Sequence, residues 1–140
     1  MLDPAIGGRK MSNKKDGSAF EREFAEKLSA NGYWVHLLRD NQNGQPFDLI
    51  AVRDGEAFAF DCKDCTSEKF LLSRIEENQK TAMGLWMECG NNEPMFALRF
   101  PSQKIRLLKY SDAMDLEEIG IKALSGGNLA MYTSPLRKLL

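Results

Sequence analysis

Several things are scarce in this chain, and each scarcity excludes something. Of 140 residues only three are cysteine and one is histidine. Three thiols cannot form a disulfide framework, and their odd number points to reduced cysteines in an intracellular compartment. A structural zinc site needs about four ligands. Cys62 and Cys65 form a CxxC, but only Cys89 and His36 remain to complete it, and neither has motif spacing. The simplest reading is therefore a set of packed thiols. No apolar run approaches the ~20 residues that span a bilayer. Residues 1–15 lack the apolar stretch of a secretion signal, so a cytoplasmic location is expected. The formal net charge is only -1, with pI ≈ 5.9. That balance stands against a nucleic-acid partner, whose binding domains are usually basic, unless the charges are unevenly placed.

What is present is an ordinary globular composition, 43% apolar and 28% charged. It excludes collagen, a disordered acidic tail and low-complexity sequence, and the length predicts one domain with its own core. Residues 1–17 read as a flexible basic arm in which Arg9, Lys10, Lys14 and Lys15 outnumber Asp3 and Asp16. The remainder, 18–140, reads as one domain with a core at about 18–110 and a C-terminal helix and tail at 111–140.

Residues 18–31 read as a helix. At about 100° per residue from Phe20, Phe24, Leu28 and Ala25 fall at about 40°, 80° and 140°. Gly32 is a stop signal. Strands are expected over 33–38, 47–52 and 56–63, with a loop at 41–46 and a hairpin turn at Asp54-Gly55. A second helix is expected over 71–83. A hairpin of 85–89 with 95–100, a strand at 105–110 and a helix over 112–124 follow. This α-β-β-β-α-β-β order predicts an α/β fold, a mixed central β-sheet flanked by helices. Trp34, Trp86, Phe96 and Phe100 are expected in the core.

Four residues break the apolar pattern. Glu21 lies at about 100°, inside the apolar arc of the first helix. Ser18 as N-cap with Glu21 in a capping box is the competing explanation. Asp48 interrupts an otherwise apolar strand, where a carboxylate is costly unless paired or metal-bound; a strand-end cap is its plainer role. Asp61 and Lys63 are two apart and share a strand face with Ala57 and Ala59, which leave open space; a surface ion pair is the alternative. The Asp54-Gly55 hairpin sets the Asp48 strand beside that of Asp61 and Lys63, and the first helix packing on that sheet delivers Glu21. Converging carboxylates repel one another without a cation. Hard oxygen ligands favour Mg²⁺, with Mn²⁺ as a substitute. A nearby lysine can hold an attacking water and offset charge on a phosphate. The chemistry implied is metal-assisted phosphodiester hydrolysis.

These residues resemble the PD-(D/E)xK nuclease superfamily, with its restriction-endonuclease-like core. The signature is Pro46-Phe47-Asp48 followed by Asp61-Cys62-Lys63, with one residue inserted between Pro46 and Asp48 and Asp61 standing where the family often has Glu. The stretch from Gly17 through Phe24, with Leu28 and Gly32, is similar to the opening of archaeal-type Holliday junction resolvases. Gln79 and the segment ending in Arg99-Phe100 resemble the RecU-type resolvases. The resemblance implies that Asp48 and Asp61 bind the metal, with the backbone carbonyl of Cys62 as a further ligand. It implies that Glu21 completes or supports the metal shell, that Lys63 is catalytic and that Gln79 stands near the scissile phosphate. It implies a homodimer acting on branched, four-way DNA, without a membrane or a small-molecule cofactor. Arg9, Lys10, Lys14, Lys15 and Ser18 are the expected DNA contacts. A restriction-like or repair nuclease, or a non-catalytic DNA-binding module of the same fold, are the alternatives. The charge objection also weakens. Arg99, Lys104, Arg106 and Lys109 lie in a stretch with no acid, and together with the arm they form basic segments suited to phosphates.

Overall fold

The computed structural model describes residues 12–38 and 47–140. Helix α1 (Ser12–Ser29) buries Phe20, Phe24, Ala25 and Leu28, the arc expected from their spacing. It begins earlier than residue 18. Ser18 is therefore inside the helix and is not its N-cap, and residues 12–17 are helical. The rest of the expected arm and the 41–46 loop lie outside the described residues. Gly32, at φ 90°, ends α1, and Tyr33 N–H reaches back to Leu28 O at 3.1 Å.

Strand β1 (Trp34–Leu37) pairs antiparallel with β2 (Leu49–Arg53), and β2 with β3 (Glu56–Asp64). The β2–β3 turn places Asp54 at φ 54° and Gly55 at φ 78°, the two positive angles that a tight hairpin needs. β4 (Lys69–Leu71) and a 3₁₀ turn (Leu72–Arg74) lead into α2 (Glu77–Glu88). β5 (Met95–Arg99) returns parallel to β3, and β6 (Ile105–Lys109) pairs antiparallel with β5. α3 (Tyr110–Glu118), β7 (Ala123–Ser125), α4 (Gly126–Tyr132) and β8 (Ser134–Pro135) complete the chain. The main sheet runs β1-β2-β3-β5-β6-β8, and β4-β7 form a small second sheet. Only the β3–β5 pair of the main sheet is parallel, because α2 carries the chain across between them. The fold is thus mixed α/β with a mostly antiparallel central sheet.

Two cores sandwich that sheet. α1 packs Phe20, Phe24 and Leu28 against Leu49, Ala51, Phe60 and Ala97, with Phe24 and Phe60 edge to face at 5.1 Å. The opposite face holds Ala59, Phe96, Leu98 and Leu108 beneath Phe70, Met83, Leu116, Leu124 and Leu129.

Four local expectations fail. Residues 71–76 alternate between buried Leu72 and Ile75 and exposed neighbours, as a strand end and 3₁₀ turn, and α2 starts at a Glu76–Gln79 capping box. Residues 85–88 are the end of α2, so the expected 85–89 strand does not exist. The expected 112–124 helix stops at Glu118, and Leu124 goes into β7. Trp34 is 63% exposed, stacked on His36 at the sheet edge, and is not core. Trp86 is half-buried against Phe47, and Phe96 and Phe100 are buried as expected.

Candidate active site

Asp48 sits immediately before β2. Its backbone continues the ladder, with its N–H donating to Phe60 O at 2.8 Å and its carbonyl accepting from Leu38 N–H at 2.9 Å. Its carboxyl then turns to β3 and accepts the Cys62 N–H at Oδ2, 2.6 Å. The plainer expectation, a cap on the 41–46 loop, falls on residues outside those described; the contact seen is to the neighbouring strand. The same contact fixes its carboxyl in front of the end of β3.

Asp61 and Lys63, on β3, are buried to 3% and 8% exposure. This is no surface ion pair. Lys63 Nζ lies 3.0 Å from Asp61 Oδ2 and donates to Gln79 Oε1 at 3.2 Å. Gln79 Nε2 donates to Asp61 Oδ1 at 3.0 Å, closing a ring of three side chains. Gln79 Oε1 also accepts Glu76 N–H at 3.0 Å, so the cap that starts α2 orients the amide that holds the pair. Ala59 does not open space in front of the pair. It is fully buried in the core shared with Phe47 and Met83.

α1 lies on the sheet face opposite Ala59 and Phe96. Glu21, half-exposed on α1, nonetheless acts on the site through its charge. Burial first, and then Glu21, raise the Asp48 carboxyl to about 7. Burial and then the Asp48 charge raise Asp61 to about 8, against the pull of Lys63. The Cys62 thiol is pushed well above its usual range by burial and these acids, and burial lifts Cys65 to about 11. Among the described residues the two CxxC cysteines are free thiols and belong to no metal-ligand cluster.

Asp61 Oδ2 is buried and receives no hydrogen bond of normal geometry. Two adjacent buried carboxyls whose ionised forms are disfavoured, with only one lysine beside them, form an oxygen donor set that a hard divalent cation would complete. Among the described residues no three His, Cys, Asp or Glu side chains gather into a metal cage.

One constellation had no counterpart in the sequence reading. Arg99, at the end of β5, donates from Nε and Nη2 to the two oxygens of Asp64 at 3.2 and 2.9 Å and from Nη1 to Glu23. Its guanidinium also covers the Phe20 ring at 4.7 Å. This clasp joins α1, two residues from Glu21, to β3, one residue after Lys63. The available signal was an acid directly after Lys63 opposite a basic strand end. Arg9 and Lys10 lie outside the described residues, while Lys14, Lys15 and Ser18 belong to α1.

The family model of the archaeal Holliday junction resolvase (Hjc) matches residues 12–130. The chain belongs to the archaeal Holliday junction resolvase family. Family membership places it in the PD-(D/E)xK superfamily. It is similar to the crossover junction endodeoxyribonuclease Hjc of Methanocaldococcus jannaschii, 31% identical over 91 residues. That alignment spans 65% of this chain and 64% of the relative. The fold is similar to that of the Hjc Holliday junction resolvase of Archaeoglobus fulgidus, with a TM-score of 0.65 and 16% identity over 86% of this chain and 95% of that one. Among the described residues no helix is long and apolar enough to cross a membrane.

Proposed function

We propose that this chain is a Mg²⁺-dependent endonuclease that cuts four-way DNA junctions as a homodimer. The observation that carries the reading is the buried Asp48/Asp61 pair with the Lys63 ammonium 3.0 Å from Asp61 Oδ2. Asp48 and Asp61 would hold the metal, with the Cys62 carbonyl as a further ligand and Glu21 supporting the shell through its charge. When bound, the metal supplies Lewis-acid polarisation of a phosphodiester oxygen and activation of a water.

The chain's own groups do the rest. The Cys62 N–H fixes the Asp48 carboxyl, and Gln79 fixes both Asp61 Oδ1 and Lys63 Nζ. Lys63 thus presents its ammonium beside Asp61 without a mobile side chain having to be ordered during the reaction. Its charge offsets the negative charge that grows on the phosphate, and it orients the attacking water. Gln79 Oε1 accepts from both Lys63 and Glu76, and one of its two amide N–H groups donates to Asp61. That supports a positioning role more than direct contact with the phosphate. The basic residues of the N-terminal segment, Arg9, Lys10, Lys14 and Lys15, with Ser18, would meet the DNA backbone.

The test is incubation of a synthetic four-way junction, a flap and a linear duplex with Mg²⁺, comparing wild type with Asp61→Ala. Junction cleavage that the substitution abolishes is expected. Absence of cleavage of any DNA, or cleavage indifferent to the substitution, would end the proposal, and equal cutting of linear duplex would favour a restriction-like or repair enzyme.

A further inference from the structure

The acid-free basic stretch from Arg99 to Lys109 divides in three dimensions. Arg99 is taken up by Asp64 and Glu23, on the side of α1. Lys109 ends β6 opposite Met95, at the far end of the sheet. Lys104 and Arg106, by contrast, line one cavity of about 210 Å³ together with Glu68, Gly126, Leu129 and Ala130.

The cavity lining carries two cations, Lys104 and Arg106, against one acid, Glu68. Among the described residues neither Lys104 nor Arg106 makes an ion pair. Glu68 sits in the cavity, yet its oxygens accept from Ser102 N–H at 2.8 Å and Ser102 Oγ at 3.2 Å, which ties it to the β5–β6 turn. Arg106 is itself fixed. Its Nε donates to Thr133 Oγ1 at 2.8 Å, and Nη2 donates to Thr133 O at 2.8 Å and Ala130 O at 3.4 Å. Among the described residues nothing accepts from its Nη1. The guanidinium is therefore pre-oriented, with one nitrogen left over, beside the exposed ammonium of Lys104.

The sheet register relates this cavity to Lys63. Lys63 is opposite Leu98 on β5, and Leu98 is opposite Arg106 on β6. Lys63 and Arg106 therefore project from the same sheet face, in one row. They are two strand spacings apart, about 10 Å. Lys63 is near the C-terminal end of β3 and Arg106 near the N-terminal end of β6, so both lie at the same end of the sheet, where Asp48 also lies.

We propose that the Lys104/Arg106 cavity is a second phosphate-contact site, binding a backbone phosphodiester of the DNA other than the one held at Lys63. It rests on the reading of the chain as a DNA endonuclease. A fixed guanidinium with a neighbouring ammonium suits the oxygens of a phosphodiester. Such a contact sets register on the DNA and carries no sequence information.

The test uses the full chain and a synthetic four-way junction without divalent metal, so that binding is read without cleavage. Lys104 is exposed and unpaired among the described residues, so Lys104→Gln leaves the fold intact, whereas Arg106 is left unaltered because it ties Thr133 and Ala130 to the sheet. Lys104→Gln is expected to weaken binding several-fold and to reduce the slope of log K against log salt by about 0.9. Glu68→Gln, which removes the cavity's only acid, should shift binding in the opposite direction. If wild type binds the junction and both variants bind it with the same affinity and salt slope, this site is overturned while the endonuclease reading stands. If wild type binds no junction, both fall together.

Discussion

Metal affinity should depend on pH in a way that the two carboxyls set. Asp48 is raised to about 7 by burial and Glu21, and Asp61 to about 8 by burial and Asp48. A divalent cation takes both as carboxylates, so below these values it must displace their protons. Treating the two as separate sites, competition by protons falls from about a thousandfold at pH 6 to almost nothing at pH 9, which is about 4 kcal/mol. The logarithm of the Mg²⁺ association constant should therefore climb with a slope approaching 2 per pH unit below about 7, and flatten above about 8. Asp61→Asn leaves one titrating ligand and should compress the range to about tenfold. Calorimetric titration with Mg²⁺ over this pH range, with proton release read from buffers of different ionisation enthalpy, measures both quantities. A wild-type affinity that is flat from pH 6 to 9 would refute the assignment of these carboxyls as ligands.

Further consequences follow from the same contacts. Because the folded Asp48 carboxyl has a raised value, its stability contribution is complete below about pH 4 and is lost as pH rises through about 7. Asp48→Asn, whose amide oxygen can still accept the Cys62 N–H, should thus melt close to wild type near pH 4. In metal-free protein at pH 9 it should be the more stable by a few kcal/mol, because raising a carboxyl by one pH unit corresponds to about 1.4 kcal/mol. A thermal melt at the two pH values reads the difference. Gln79→Ala removes the Asp61 and Lys63 contacts and the cap of α2. It should cost about 1–3 kcal/mol in a denaturant titration and lower the maximal cleavage rate more than it changes the apparent substrate affinity. Arg99→Gln opens the clasp between α1 and β3. With its acids partly exposed, the expected loss is about 1–2 kcal/mol, shrinking in high salt; a loss that salt does not alter would contradict an ionic clasp.

How much of this was legible in the sequence varies with the kind of signal. The helical arc of Phe20, Phe24, Ala25 and Leu28 is written in a 3.6-residue spacing, and α1 buries those four side chains. Asp54-Gly55 encodes its turn in two residues, which fixed the β2–β3 hairpin and with it the approach of Asp48 to Asp61. Boundaries were less visible. Ser18 has the chemistry of an N-cap but lies inside α1, since a good cap residue is also tolerated within a helix. The cap that does start α2 is a glutamate, Glu76, so the start of that helix carried no Ser, Thr or Asp to mark it. Residues 85–88 are apolar enough for a strand, yet Leu85, Met87 and Glu88 are good helix formers and α2 runs on through them. The Gln79 bridge and the Arg99 clasp join residues 16 to 76 positions apart, and no local pattern contains such pairs.

The central claim is that Asp48, Asp61 and Lys63 form one metal-dependent hydrolytic centre for junction DNA. Its most direct test is single-turnover cleavage of a fixed four-way junction in Mg²⁺ by wild type, Asp61→Ala and Lys63→Ala, with junction binding measured in parallel. The account predicts that both variants bind the junction close to wild type and lose cleavage by at least about a hundredfold. Cleavage persisting in either variant at the wild-type rate would contradict it.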